Sequence, residues 1–124
     1  MIGRMHHVVL DCPDPDALAA FYSELLGLPV TYRDEAWVVV AVSDTTSGLA
    51  FQRAPGHRPS TWPDPTVPQQ IHLDIMVEDP ATAGPRVLAL GATQCDREHV
   101  YADPAGHPFC LIKRPRWAPS IPES

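Results

Sequence analysis

His7-Val8-Val9-Leu10-Asp11-Cys12-Pro13-Asp14-Pro15 returns, 65 residues further on, as His72-Leu73-Asp74-Ile75-Met76-Val77-Glu78-Asp79-Pro80. Each copy opens on a histidine, runs through an apolar strand-like stretch and closes on Asp-Pro. Asp-Pro reads as a helix start, because the carboxylate caps free amides and proline needs no donor at the first helical position. An Ala/Leu-rich segment follows each, Ala17 to Leu26 before Gly27 and Ala81 to Leu90 before Gly91. Each unit is therefore strand, capped helix and glycine stop, and the duplication puts His7 and His72 in equivalent places.

Working outward, residues 6–12 predict a strand with His7, Val9 and Asp11 on one face. The helix from Pro15 to Leu26 carries Leu18, Phe21, Tyr22, Leu25 and Leu26 at the spacing of a helix lying on a sheet. Three strands follow without a helix between them: Val30–Tyr32, Trp37–Val42 and, after the turn 43–48, Leu49–Arg53. Residues 54–69 hold five prolines and predict an extended connector. Trp62 in its middle is expected to pack on this protomer or on a partner.

The second half repeats the order. Ile71–Val77 predicts a strand and Thr82–Leu90 a helix weakened by Gly84 and Pro85. Ala92–Cys95 and Glu98–Ala102 are short strands, Asp103-Pro104-Ala105-Gly106 a tight turn, and Phe109–Lys113 the closing strand. Residues 114–124, with Trp117, are expected to be irregular. Gly48-Leu49-Ala50-Phe51-Gln52 matches Gly106-His107-Pro108-Phe109-Cys110, which aligns Gln52 with Cys110. The fold class is α+β: a β-α-β-β-β module over 6–53, the connector 54–69, and a second module over 70–114, all in one domain of 124 residues.

Composition narrows the function. A formal charge of −6 with no basic stripe argues against a nucleic-acid partner. No apolar run approaches the ~20 residues of a membrane span. The start of the chain lacks a signal-peptide core. Three cysteines without disulfide-framework spacing suggest reduced thiols in a cytoplasmic protein.

The tandem modules resemble the vicinal oxygen chelate superfamily of glyoxalase I, bleomycin-resistance proteins and extradiol dioxygenases. Four features carry the resemblance: His7 with Asp14, Phe21-Tyr22 before Leu26-Gly27, His72 with Asp79, and Asp103-Pro104-x-Gly106. Trp62-Pro63-Asp64-Pro65 ahead of Ile71-His72-Leu73-Asp74 is similar to the small glyoxalase-like proteins of that group. The resemblance implies curved mixed sheets around a central cavity, helices outside, and a homodimer whose halves pair within one chain or between two. It also implies a metal quartet of His7, Gln52, His72 and Cys110.

Cys110 stands where the metalloenzymes usually carry glutamate, so the set holds no carboxylate. Zn, Ni, Mn or Fe are the candidate ions, or none. Alternation gives a ligand cavity of His7, Val9, Asp11, Trp37, Gln52, His72, Asp74, Met76 and Cys110, apolar with a few convergent polar groups. Catalytic residues are not assigned. Three functions compete: binding or sequestration of a small organic molecule, a metal-dependent lyase, isomerase or dioxygenase, and a structural homodimer with a vestigial cavity.

Overall fold

The structure is a computed structural model that describes residues 1–122. The chain divides into two compact units, Met1–His57 and Arg58–Ser124. Each is a four-stranded mixed sheet with one helix, in the order β1-β4-β3-β2 for the first and β5-β8-β7-β6 for the second. Neither sheet is closed.

The first unit holds β1 (His7–Cys12), α1 (Pro15–Leu26), β2 (Val30–Arg33), β3 (Trp37–Val40) and β4 (Gly48–Arg53). The Asp14 side chain accepts from the Ala17 amide and Pro15 follows it, so α1 starts where Asp-Pro predicts. Gly27 ends the helix at φ 66°, a left-handed conformation that glycine enters without steric cost. α1 packs on β3 and β4 and buries Leu18, Phe21 and Tyr22; Leu10, Val38, Val40 and Phe51 of the sheet are buried as well. Tyr22 stacks on Phe51 at 5.4 Å and Phe21 meets Tyr22 edge-on.

β1 pairs in parallel with β4, and β3 pairs antiparallel with it. Residues paired across a ladder share a face. His7, Val9, Asp11, Ala50, Gln52, Trp37 and Val39 therefore lie on the side away from α1. There Val39, Ala41 and Ala50 form a small buried cluster with Trp37 packed against it. The expected strand over Trp37–Val42 ends instead at Val40. The Ala41 amide leaves the ladder for the Pro29 carbonyl, and Val42 is exposed at the start of a Ser/Thr-bonded turn.

The second unit holds β5 (Leu73–Val77), α2 (Pro80–Leu90), β6 (Thr93–Gln94), β7 (Val100–Ala102) and β8 (Pro108–Lys113). α2 begins two residues earlier than Thr82, capped by Asp79 with Pro80 behind it. Gly84 weakens the helix in isolation but permits its packing: a Cβ there would stand 2.5 Å from the Tyr101 hydroxyl. Tyr101 in turn stacks on Phe109 at 5.7 Å. The 103–106 turn is held from within. Buried Asp103 accepts from the Ala105 and His107 amides and from His107 Nδ1 at 2.9–3.0 Å. Trp62, in the connector, lies under the Arg97 guanidinium at 5.4 Å, so its partner belongs to its own unit. Over residues 114–122 there is neither helix nor strand; Arg114 pairs with Glu78 and donates to the Ala118 carbonyl.

Two expectations about the repeat need correction. His72 lies just ahead of β5 and outside it, whereas His7 is the first residue of β1. The anchors are also out of register with one another. Asp11 pairs with Gln52, so the equivalence of His7 with His72 would put Met76 opposite Cys110. Instead Asp74 faces Cys110, and Met76 faces Ile112. The closing strand of the second half is displaced by two residues, because Gly106 remains in the turn and pairing begins only beyond it. A shift of two keeps every side chain on its face but moves it about 7 Å along the strand. Gln52 and Cys110 are thus alike in face and unlike in position.

Candidate functional site

An open cleft of about 980 Å³ lies on the first unit, on the face that carries Trp37 and Val39. His6 and His7 border it at the start of β1, Thr31 and Tyr32 from β2, and Asp34 from the β2–β3 turn. Residues 44–47 close its rim. The aromatic floor comes from β3, where alternation points Trp37 and Val39 away from the helix.

His7 is the best-defined polar group in the cleft. Its Nδ1 accepts the backbone N–H of Gly48 at 3.0 Å. An amide can only donate, so Nδ1 is bare and the single proton of the neutral ring sits on Nε2. Burial and the neighbouring His6 hold the His7 pKa below 6.5, which favours that neutral ring. The two rings are 4.0 Å apart. The parallel pairing of β1 with β4 sets this bond, by placing Gly48 opposite His7.

The other polar groups are largely occupied. The Tyr32 hydroxyl donates to Asp34 Oδ2 at 2.8 Å, and the Ala36 amide donates to Oδ1 at 2.9 Å. The Ala36 amide and then Tyr32 hold Asp34 below the usual carboxylate range; the same bond pushes the Tyr32 phenol up. On the rim, Ser47 Oγ donates to the Met5 carbonyl and Thr46 Oγ1 to the Ser43 carbonyl.

The remaining expected residues fall in two groups. Val9, Asp11 and Gln52 share the Trp37 face and flank the cleft along β1 and β4, without lining it. In the second unit, Asp74, Met76 and Cys110 share one face of the β5–β8 pair. His72 Nε2 is 3.7 Å from Asp74 Oδ1, beyond hydrogen-bond reach, and both side chains are about half exposed. Burial, then Asp74 and Cys95, push the Cys110 thiol up. Thr31, Tyr32, Asp34 and the 44–47 rim were missed from the sequence. The Tyr32-x-Asp34 spacing could have signalled part of it, but the rim carries no chemical signature.

The donor set suits a metal poorly. His7 offers a protonated Nε2 and a spent Nδ1. Without a metal, burial and then Asp74 favour the protonated Cys110 thiol, whereas a bound ion would itself deprotonate it. Among the described residues, no group of three His, Cys, Asp or Glu side chains within either unit could hold an ion. Of the quartet, His7 and Gln52 belong to the first unit and His72 and Cys110 to the second, so neither unit holds it by itself.

A family model described as a glyoxalase-like domain matches residues 7–112. The chain belongs to the glyoxalase-like domain family. Solved structures of similar fold include a glyoxalase/bleomycin resistance protein/dioxygenase family enzyme from Burkholderia phytofirmans PsJN. It is 17% identical at a TM-score of 0.65, over 88% of this chain and 97% of the other. The oxidase ChaP-H2 is 19% identical at a TM-score of 0.61, over 93% and 96%. The bleomycin-binding protein of bleomycin-producing Streptomyces verticillus, complexed with copper(II)-bleomycin, is 17% identical at a TM-score of 0.56, over 93% and 100%. At these identities the likeness is one of fold. No curated protein matches the sequence. Among the described residues, no helix of this glyoxalase-like chain is long and apolar enough to cross a membrane.

The His7 arrangement has a consequence for pH. A ring whose folded pKa is lowered takes up its proton less readily than in the unfolded chain. Stability is then independent of His7 above the unfolded value of 6.5 and falls as pH drops below it, until the folded ring also protonates. The urea midpoint is expected to fall more between pH 7.5 and 5 in the native chain than in a His7→Phe variant. The difference is small because the ring is only partly buried. Parallel pH profiles for the two proteins would contradict the assignment of the Gly48 bond to a neutral ring.

Proposed function

We propose that this glyoxalase-like protein binds a small organic molecule in the cleft of its first unit and holds it without metal chemistry. The cleft itself carries this reading: an aromatic floor of Trp37 against Val39, with one oriented imidazole N–H beside it. Small-molecule pockets combine an apolar surface with fixed polar groups. Here Trp37 and Val39 supply the apolar floor and the rest of the lining is polar, with most of its side chains already hydrogen-bonded within the protein. The bleomycin complex of the S. verticillus relative supports it, as a protein of this fold that holds a small molecule. The metal-dependent alternative would require His7 to give up the Gly48 amide, and the Cys110 thiol to ionise against burial and Asp74.

Thermal unfolding against a library of aromatic natural products, bleomycin included, tests the reading. A ligand at a hundred times its Kd adds about 2.7 kcal/mol, which raises Tm on the order of 10 °C in a chain of this size. At least one compound is expected to do so, with the shift lost in Trp37→Ala. An absence of any shift, or shifts undiminished in that variant, would refute binding at the cleft.

A further inference from the structure

The hydrogen bonds around the cleft indicate which ligand chemistry it can satisfy. Both Asp34 oxygens already accept, one from the Ala36 amide and one from the Tyr32 hydroxyl. Tyr32 spends its proton on that bond, and Thr46 and Ser47 spend theirs on backbone carbonyls. Asp44 is an exposed carboxylate on the rim, where water screens it and competes for any cation. His6 is likewise exposed.

Among the described residues, three partly buried lining groups remain unspent: His7 Nε2–H, the Trp37 indole N–H and the Thr31 hydroxyl. The first two can only donate and the third can donate or accept. A ligand that brought only donors would leave the His7 proton desolvated and unpaired, which costs more than a mismatch in open water.

Resting on the binding reading above, we infer that the cleft selects an aromatic ketone or quinone, seated against Trp37 with a carbonyl oxygen accepting from His7 Nε2–H. Gly48 is the positioning residue. Its amide fixes the tautomer, so that the imidazole meets the ligand as a donor and not as a lone pair. Its backbone is closely set, since a Cβ there would run into the Val40 carbonyl and Ala41.

An isosteric probe series tests this: 9-fluorenone, fluorene and 9-aminofluorene, titrated against a Trp62→Phe/Trp117→Phe protein in which only Trp37 reports. Fluorenone is expected to quench Trp37 with about tenfold tighter binding than fluorene. His7→Phe is expected to bring the two probes to within about twofold. The comparison among probes in the unchanged His7 protein stands even if that variant folds poorly. Equal binding of ketone and hydrocarbon, or a ketone preference that survives His7→Phe, would overturn the ligand class while leaving small-molecule binding intact. A preference for the amine would overturn it in favour of the Asp44 rim. If no probe quenches Trp37, both the ligand class and aromatic binding at the cleft fail together.

Discussion

Phe51→Ala is expected to destabilise the protein by about 3–5 kcal/mol, the range for removing a fully buried ring from a core that cannot collapse around the gap. Phe51 is 0% exposed, stacks on Tyr22 at 5.4 Å and sits at the centre of β4, between β1 and β3. The loss removes packing from both α1 and the sheet. Domains of ordinary stability hold only ~5–15 kcal/mol in total, so the variant should be largely unfolded under mild denaturant. Phe109 holds the equivalent place in the second unit, against Tyr101, and Phe109→Ala should fall in the same range. Urea unfolding measures both. A cost below about 1 kcal/mol for either would mean that the stacked pair is not the centre of its unit's core.

The second large effect concerns Asp103. Asp103→Ala removes the acceptor for two backbone amides and for His107 Nδ1, inside a turn where the carboxylate has no solvent access. A buried donor stripped of its partner costs about 1–3 kcal/mol, and more where a charge was involved. About 3 kcal/mol is expected for the whole change. Asp103→Asn should recover part of this, since its carbonyl oxygen can still accept from the amides. The turn feeds directly into β8, so hydrogen exchange at residues 108–113 should quicken in Asp103→Ala more than in α1. Uniform acceleration across both units would contradict a local role for the turn.

Much of the fold is legible because local chemistry and global topology agree. Asp14-Pro15 and Asp79-Pro80 mark both helix starts, and Gly27 and Gly91 both ends. The alternation in 7–12 sorts Leu10 and Cys12 to the helix face and Val9 and Asp11 to the other. What fails is register. Nothing local distinguishes Cys110 opposite Asp74 from Cys110 opposite Met76, because both choices put the same side chains on the same face. The site is only half legible for a similar reason. Trp37 and His7 follow from alternation, but Thr31, Tyr32 and the 44–47 rim reach the cleft through strand order, which no motif encodes. The state of His7 lay out of reach as well, since its partner is the backbone of a residue 41 positions away.

That state is the point on which metal ligand and ligand donor divide, and it can be read directly. In a two-bond proton–nitrogen correlation spectrum of protein with 15N-labelled histidine, the His7 signals are identified by their loss in His7→Phe. Above pH 7 they are expected to show a protonated Nε2 and a bare Nδ1, unchanged by one equivalent of zinc. A proton on Nδ1, with Nε2 free to bind zinc, would contradict the account.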